Sequence, residues 1–209
     1  MKLTNMELID FAKKLASNEP APGGGSAAAY TSAMGAGLVA MVARLTLGKK
    51  KYAEHDELMK VIIEEATIQQ EKLLLCVDKD TEAYNQVTNV LKMPKETQDE
   101  KAARSEAMQK ALKSATEVPL VVMLLSLDAL KTTHKAIGKS NQSAITDLGV
   151  AALNLGAGLK GAWFNALINL SGLKDDKFLD ECMKKGTALD MEGEQLSQQI
   201  HESVLKSVM

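Results

Sequence analysis

Leu73, Val77, Asp80, Tyr84, Val87 and Leu91 step by four, three, four, three and four residues. This spacing lines one face of a helix, and it leaves Asp78, Lys79 and Glu82 pointing elsewhere. Asp80 therefore occupies a position where a core residue is expected. An unpaired buried carboxylate is costly or takes up a proton, so its surroundings must offer a partner, a ligand or water. A buried hydrogen bond to another helix and a catalytic carboxylate fit this pattern equally well.

A second polar stripe interrupts a later apolar segment. At ~100° per residue, Asn154, Gly158, Asn165 and Asn169 all fall within about 40° of Asp147. At ~1.5 Å per residue the stripe is about 33 Å long. One small active site cannot use both ends, whereas an elongated ligand or a subunit seam could use much of it. For Asn154 and Asn169 individually, hydrogen bonds across packed helices account for the pattern at least as well.

The third feature is PAPGGGSAAAY, Pro20 to Tyr30. A glycine turn leading into a helix lets a ligand approach bare backbone, and the first N–H groups of that helix favour an anion or a carbonyl oxygen. The GxxxxGK[ST] spacing of a nucleotide loop is missing and no strand precedes the turn. Gly23–Gly25 could equally serve only to turn the chain into a crowded helix.

His55, His134 and His201 are scattered, without a carboxylate or thiol at recognisable spacing, so neither a metal site nor a catalytic triad is expected. Surface positions suit them. Cys76 reads as core, and Cys182 has no activating neighbour.

The elements that position these residues read almost throughout as helix. Thr4–Glu7 fits a capping box ahead of a first helix ending near Asn18. A second helix is expected from about Ser26 to Leu47, with Gly48 as its left-handed terminator. It is small-sided nearly all round and should be central. A third runs from about Glu54 to Leu91. Thr97–Glu100 caps a fourth that continues towards Lys131 with a kink near Val118-Pro119. A fifth covers about Ser143 to Leu170, and an amphipathic sixth starts near Asp176. The expected fold is all-α, an antiparallel bundle of about six helices forming one domain over 1–209.

Composition narrows the function classes. The chain has 209 residues, 45% hydrophobic and 25% charged, with a formal charge of −2. The longest like-charge block is Lys49–Lys51, so no basic face for nucleic acid is expected. The two cysteines suit a reduced cytosolic protein. Ser26–Ala43 and Leu148–Leu170 approach spanning length, but Ala, Gly, Ser and Asn dilute both. Buried helices are therefore expected, with no membrane partner.

PGGGSAAA at 22–29, LTLGKKKY at 45–52, DKDTEAYNQV at 78–87, MPKETQDEKAAR at 93–104, EVPL at 117–120 and KSNQSAITDLGVAALNLGAGLKGAWFNALINL at 139–170 together resemble the cyclodeaminase/cyclohydrolase family. This family includes the C-terminal domain of formiminotransferase-cyclodeaminase and stand-alone methenyltetrahydrofolate cyclohydrolases. Where relatives often read Gly-Asn and Ser-Asp, this chain has Ser140-Asn141 and Thr146-Asp147.

The resemblance implies an all-α homodimer that handles a folate one-carbon unit, with no cofactor beyond its tetrahydrofolate substrate. Asp80 and Asp147 are the candidate catalytic groups, and either could be the base. Gly23, Gly24, Gly25, Ser26, Lys49, Asn141 and Asn165 are the candidate substrate-binding residues, Lys49 through the glutamate tail. The 209 residues hold no formiminotransferase-like stretch, so cyclohydrolysis is expected ahead of cyclodeamination. A non-catalytic folate-binding or assembly protein is the third reading.

Overall fold

The computed structural model describes residues 2–209. Six helices make up the fold: α1 (Leu8–Leu15), α2 (Gly24–Thr46), α3 (Asp56–Leu91), α4 (Gln98–Ala136), α5 (Ile145–Leu170) and α6 (Asp176–Val208). Short 3-10 turns at Leu3–Asn5, Lys50–His55 and Gln142–Ala144 join them, and there is no strand among the described residues. This is the expected all-α bundle.

Consecutive long helices run antiparallel. Ser26 on α2 bonds Val77 and Asp80 on α3, while Arg44 reaches back to Thr67. Between α3 and α4, Thr132 bonds Glu65 and Arg104 bonds the Val90 carbonyl. On α6, Ser197 bonds Ala152 of α5 and Asp190 pairs with Lys160. Small residues let α2 and α5 meet closely: a Cβ on Gly158 would strike Ser32 and lie 2.7 Å from the Ala28 carbonyl oxygen. Around this contact Val39, Met59, Leu73, Met123, Leu127, Leu148 and Leu155 fill a core with almost no aromatic content.

Several local signals act as expected. Gly48 follows α2 with φ of 77°, and Thr97 and Glu100 form a reciprocal capping box at the start of α4. That helix is continuous through the buried Pro119. The first capping box does not form. Thr4 sits in a 3-10 turn and its hydroxyl donates to Asp78 at 2.8 Å, as does the Leu3 N–H at 2.6 Å. A partner on α3 thus replaces the local one, and α1 starts at Leu8 and ends three residues before Asn18. By length and composition α2 could cross a membrane, but 61% of its apolar window is buried against the bundle.

The expectation of a central α2 needs refinement. It packs against α3, α4 and α5, while Met34, Met41 and Leu45 on its remaining side are exposed.

Candidate active site

The start of α2, the end of α3 and the end of α5 converge on a pocket of about 340 Å³. Gly23–Gly25 form one wall and Asp80, Ala83, Tyr84 and Val87 another; Asn165, Ile168 and Asn169 close a third side, with Ala115 of α4 behind. The α3 stripe read from the sequence changes role along its length. Leu73 and Val77 are buried in the core, whereas Tyr84 and Leu91 are exposed. Asp80 stands where the stripe leaves the core and becomes pocket wall.

Gly25 is what lets Asp80 reach the helix start, because a Cβ there would overlap the carboxylate. The Ser26 hydroxyl lies 2.9 Å from Asp80 Oδ2 and 3.0 Å from the Val77 carbonyl oxygen, with the Thr81 hydroxyl at 3.2 Å. α2 has no side-chain cap of its own. A carboxylate from α3 therefore sits against the positive end of its dipole and its free N–H groups. Burial raises the Asp80 carboxyl above the usual carboxylate range, while the Ser26 hydroxyl and backbone N–H pull it back. Among the described residues no Lys or Arg pairs with Asp80. A half-buried acid of this kind suits proton transfer and can face a cationic ligand.

Asn165 donates from Nδ2 to the Gly161 carbonyl at 2.8 Å, leaving Oδ1 without a protein donor beside Gly24. Asn169 instead donates to the Ala115 carbonyl at 2.8 Å, the helix-to-helix bond anticipated for it.

The structure thus brings together Gly23, Gly24, Gly25, Ser26, Asp80 and Asn165. Lys49, Asn141 and Asp147 lie at the opposite end of the same chain. There the Asn141 N–H donates to Thr46 at 2.8 Å and its side-chain oxygen accepts from Ser143. Gln142 bonds the Tyr52 hydroxyl, and Lys49 is exposed beside it. Asp147 is half-buried in the first turn of α5 without a hydrogen bond or ion pair among the described residues. Tyr84, Val87 and Ile168 were missed as pocket residues because apolar helix positions read as core. Cys76 and Cys182 are both buried, and burial raises both thiols. Among the described residues no three His, Cys, Asp or Glu side chains cluster to hold a metal.

Comparison with known proteins follows the same outline. Methenyltetrahydrofolate cyclohydrolase from Methylorubrum extorquens is 39% identical over 204 residues, covering 98% of this chain and 98% of that protein. Formimidoyltransferase-cyclodeaminase from Gallus gallus is 33% identical over 92% of this chain, which spans 36% of that longer protein. The crystal structure of formiminotetrahydrofolate cyclodeaminase from Thermotoga maritima superimposes with a TM-score of 0.89 at 26% identity, covering all of both chains. The formiminotransferase-cyclodeaminase family model matches residues 7–188, and with that match over most of its length the chain belongs to this family.

Proposed function

We propose that the protein hydrolyses 5,10-methenyltetrahydrofolate to 10-formyltetrahydrofolate at the Asp80 pocket, using no cofactor beyond the folate itself. The observation that carries this reading is the Asp80 carboxylate, which faces a cavity without a cationic partner among the described residues. The one-carbon bridge of the methenyl substrate is a cationic amidinium and supplies the opposite charge. Likeness to the Methylorubrum extorquens cyclohydrolase along nearly the full length of both chains supports the same choice.

Water adds to the bridging carbon as Asp80 accepts one of its protons, giving a neutral tetrahedral adduct. The bond from carbon to N5 then breaks, the hydroxyl becomes the formyl carbonyl, and N5 gains a proton while one proton is released overall. Asn165 Oδ1 can accept from the attacking water, and the first N–H groups of α2 can donate to the developing formyl oxygen.

Cyclodeamination is the second reading, favoured by the likeness to the Thermotoga maritima enzyme. N10 would attack the N5-formimino carbon and ammonia would leave, with the same donors and acceptors in place. Incubation of the purified protein with each folate separately, following absorbance and ammonia, distinguishes the two. Loss of the methenyl chromophore above the buffer rate without ammonia from the formimino substrate is expected. Ammonia release without methenyl hydrolysis assigns the cyclodeaminase, and inactivity on both assigns a binding or assembly role.

The same reading places the protein in the cytosol as a homodimer. The exposed apolar side of α2 supports the dimer, and a monomeric mass by light scattering at micromolar concentration would contradict it.

A further inference from the structure

Asp80 has a second side, away from the pocket it lines with Gly25, Tyr84 and Asn165. There its Oδ2 accepts from the Ser26 hydroxyl at 2.9 Å, and the Thr81 hydroxyl lies 3.2 Å from Ser26 Oγ. Ser26 is fully buried, whereas Thr81 is half-buried. Thr81 lines a second cavity of about 550 Å³, which Lys14, Glu19, Asp78 and Glu82 also border and Asp80 does not. Pro20 and Ala21 line both cavities, so the chain leading into α2 separates them. Two hydroxyls in series therefore join the carboxylate of one cavity to the wall of the other.

The position of the Thr81 hydroxyl is unusual for this fold. A helical threonine commonly donates to the carbonyl four residues back, and Thr46, Thr116, Thr132 and Thr133 all do so here. For Thr81 that acceptor would be Val77, but the Val77 carbonyl receives the Ser26 hydroxyl at 3.0 Å instead. Among the described residues Ser26 is the one partner of the Thr81 hydroxyl. Its hydrogen is left for the second cavity.

We propose that Ser26 and Thr81 carry the proton released in each turnover from Asp80 to this second cavity while the folate still fills the first. The proposal rests on the reading of Asp80 as the base in methenyltetrahydrofolate hydrolysis. Attack forms the carbon–oxygen bond and leaves one water proton on Asp80. When the carbon–N5 bond breaks, N5 keeps the electron pair. Of the two protons of water, one ends on N5 and the other on Asp80. Asp80 then donates to Ser26 Oγ, the Ser26 hydrogen turns from Val77 to Thr81, and the Thr81 hydrogen passes to water in the second cavity. Each hydroxyl gains one proton and gives one up, as a group that both donates and accepts can do. Asp80 is ionised again before the product leaves, and the reversal of water addition loses the proton it needs.

The test is a single turnover with enzyme in excess, in weakly buffered solution containing a pH indicator, with methenyl absorbance and proton appearance followed together. In the wild type the two should coincide. In Thr81→Val the absorbance should fall at a rate within about twofold of the wild type, while protons appear at least about tenfold later, with product release. Thr81→Ala should show the same delay, which excludes crowding by the valine methyl, and Thr81→Ser should restore coincidence. A purely structural role for Thr81 would lower the melting temperature without separating the two signals. Coincident signals in both Thr81→Val and Thr81→Ala, or a delay already present in the wild type, would overturn the route and leave the hydrolase reading intact. Methenyl absorbance that decays only at the buffer rate in the wild type would overturn the hydrolase reading, and the route with it.

Discussion

At one end of the α2–α5 pair, Asn165 keeps an amide oxygen free beside Gly24, next to a carboxylate with no cationic partner among the described residues. At the other end, Asn141 commits its backbone N–H to Thr46 and its side-chain oxygen to Ser143, while Tyr52 holds Gln142. Both ends are polar and both carry an aspartate. They differ in hydrogen-bonding capacity left unused beside a cavity, and that difference supports the proposal that the pocket end is the chemical one. Asp147 keeps no hydrogen bond or ion pair among the described residues.

The comparison breaks most severely at Gly25. Gly25→Val should lower turnover about a hundredfold or more, because any Cβ there displaces Asp80 from the start of α2. The melting temperature should fall with it, and an active, stable variant would show that Asp80 need not sit where it does. Gly24→Val should act differently. Its Cβ has ordinary room, 3.5 Å from Asn165 Nδ2, so the fold survives and the branched side chain intrudes on the ligand. A KM increase of about tenfold at unchanged melting temperature is expected; unfolding instead would make the turn purely structural. At the far end, Asn141→Ala should lower stability by about 1–2 kcal/mol through the lost ties around α5. Denaturant unfolding measures this, and a loss of substrate affinity in the folded variant would add Asn141 to the site as the family resemblance implies.

The smallest effect concerns pH. Burial raises the Asp80 carboxyl in the folded protein, so between its ordinary and its folded pKa the native state binds the proton more tightly than the unfolded chain does. Its contribution to stability is complete below the ordinary carboxylate range and is lost as pH rises through the folded value. Asp80→Asn removes that loss, so the variant's melting temperature should gain on the wild type as pH rises through this window and then run parallel. A gap that narrows with rising pH would mean that the folded protein favours the anion.

Much of the framework was legible because its signals are local. The polar break at Asp80 in a helical stripe, the glycine after α2 and the Thr97–Glu100 box all depend on residues within a turn or two. What escaped depends on residues far apart in the chain. Thr4 bonds Asp78 across 74 positions, so a correctly spaced capping box never forms. Ser26 finds Asp80 across 54, and no periodicity announces that contact. Ile168 and Tyr84 have core spacing, and only the open side of the bundle turns them into pocket wall. The candidate site mixed both ends of α5 because a helix face shows which residues align without showing which end meets a cavity.

The central claim is that Asp80 performs chemistry in the pocket as well as closing the start of α2. It is tested most directly by the steady-state rate of Asp80→Asn with 5,10-methenyltetrahydrofolate, corrected for uncatalysed hydrolysis and taken alongside a melting curve. The account predicts at least about a tenfold loss of turnover with a melting temperature equal to or above that of the wild type, since Asn can still accept from Ser26 without carrying a buried charge. A variant that melts much lower while its folded fraction turns over normally would contradict it, making Asp80 a structural cap and moving the search for the base to Asp147.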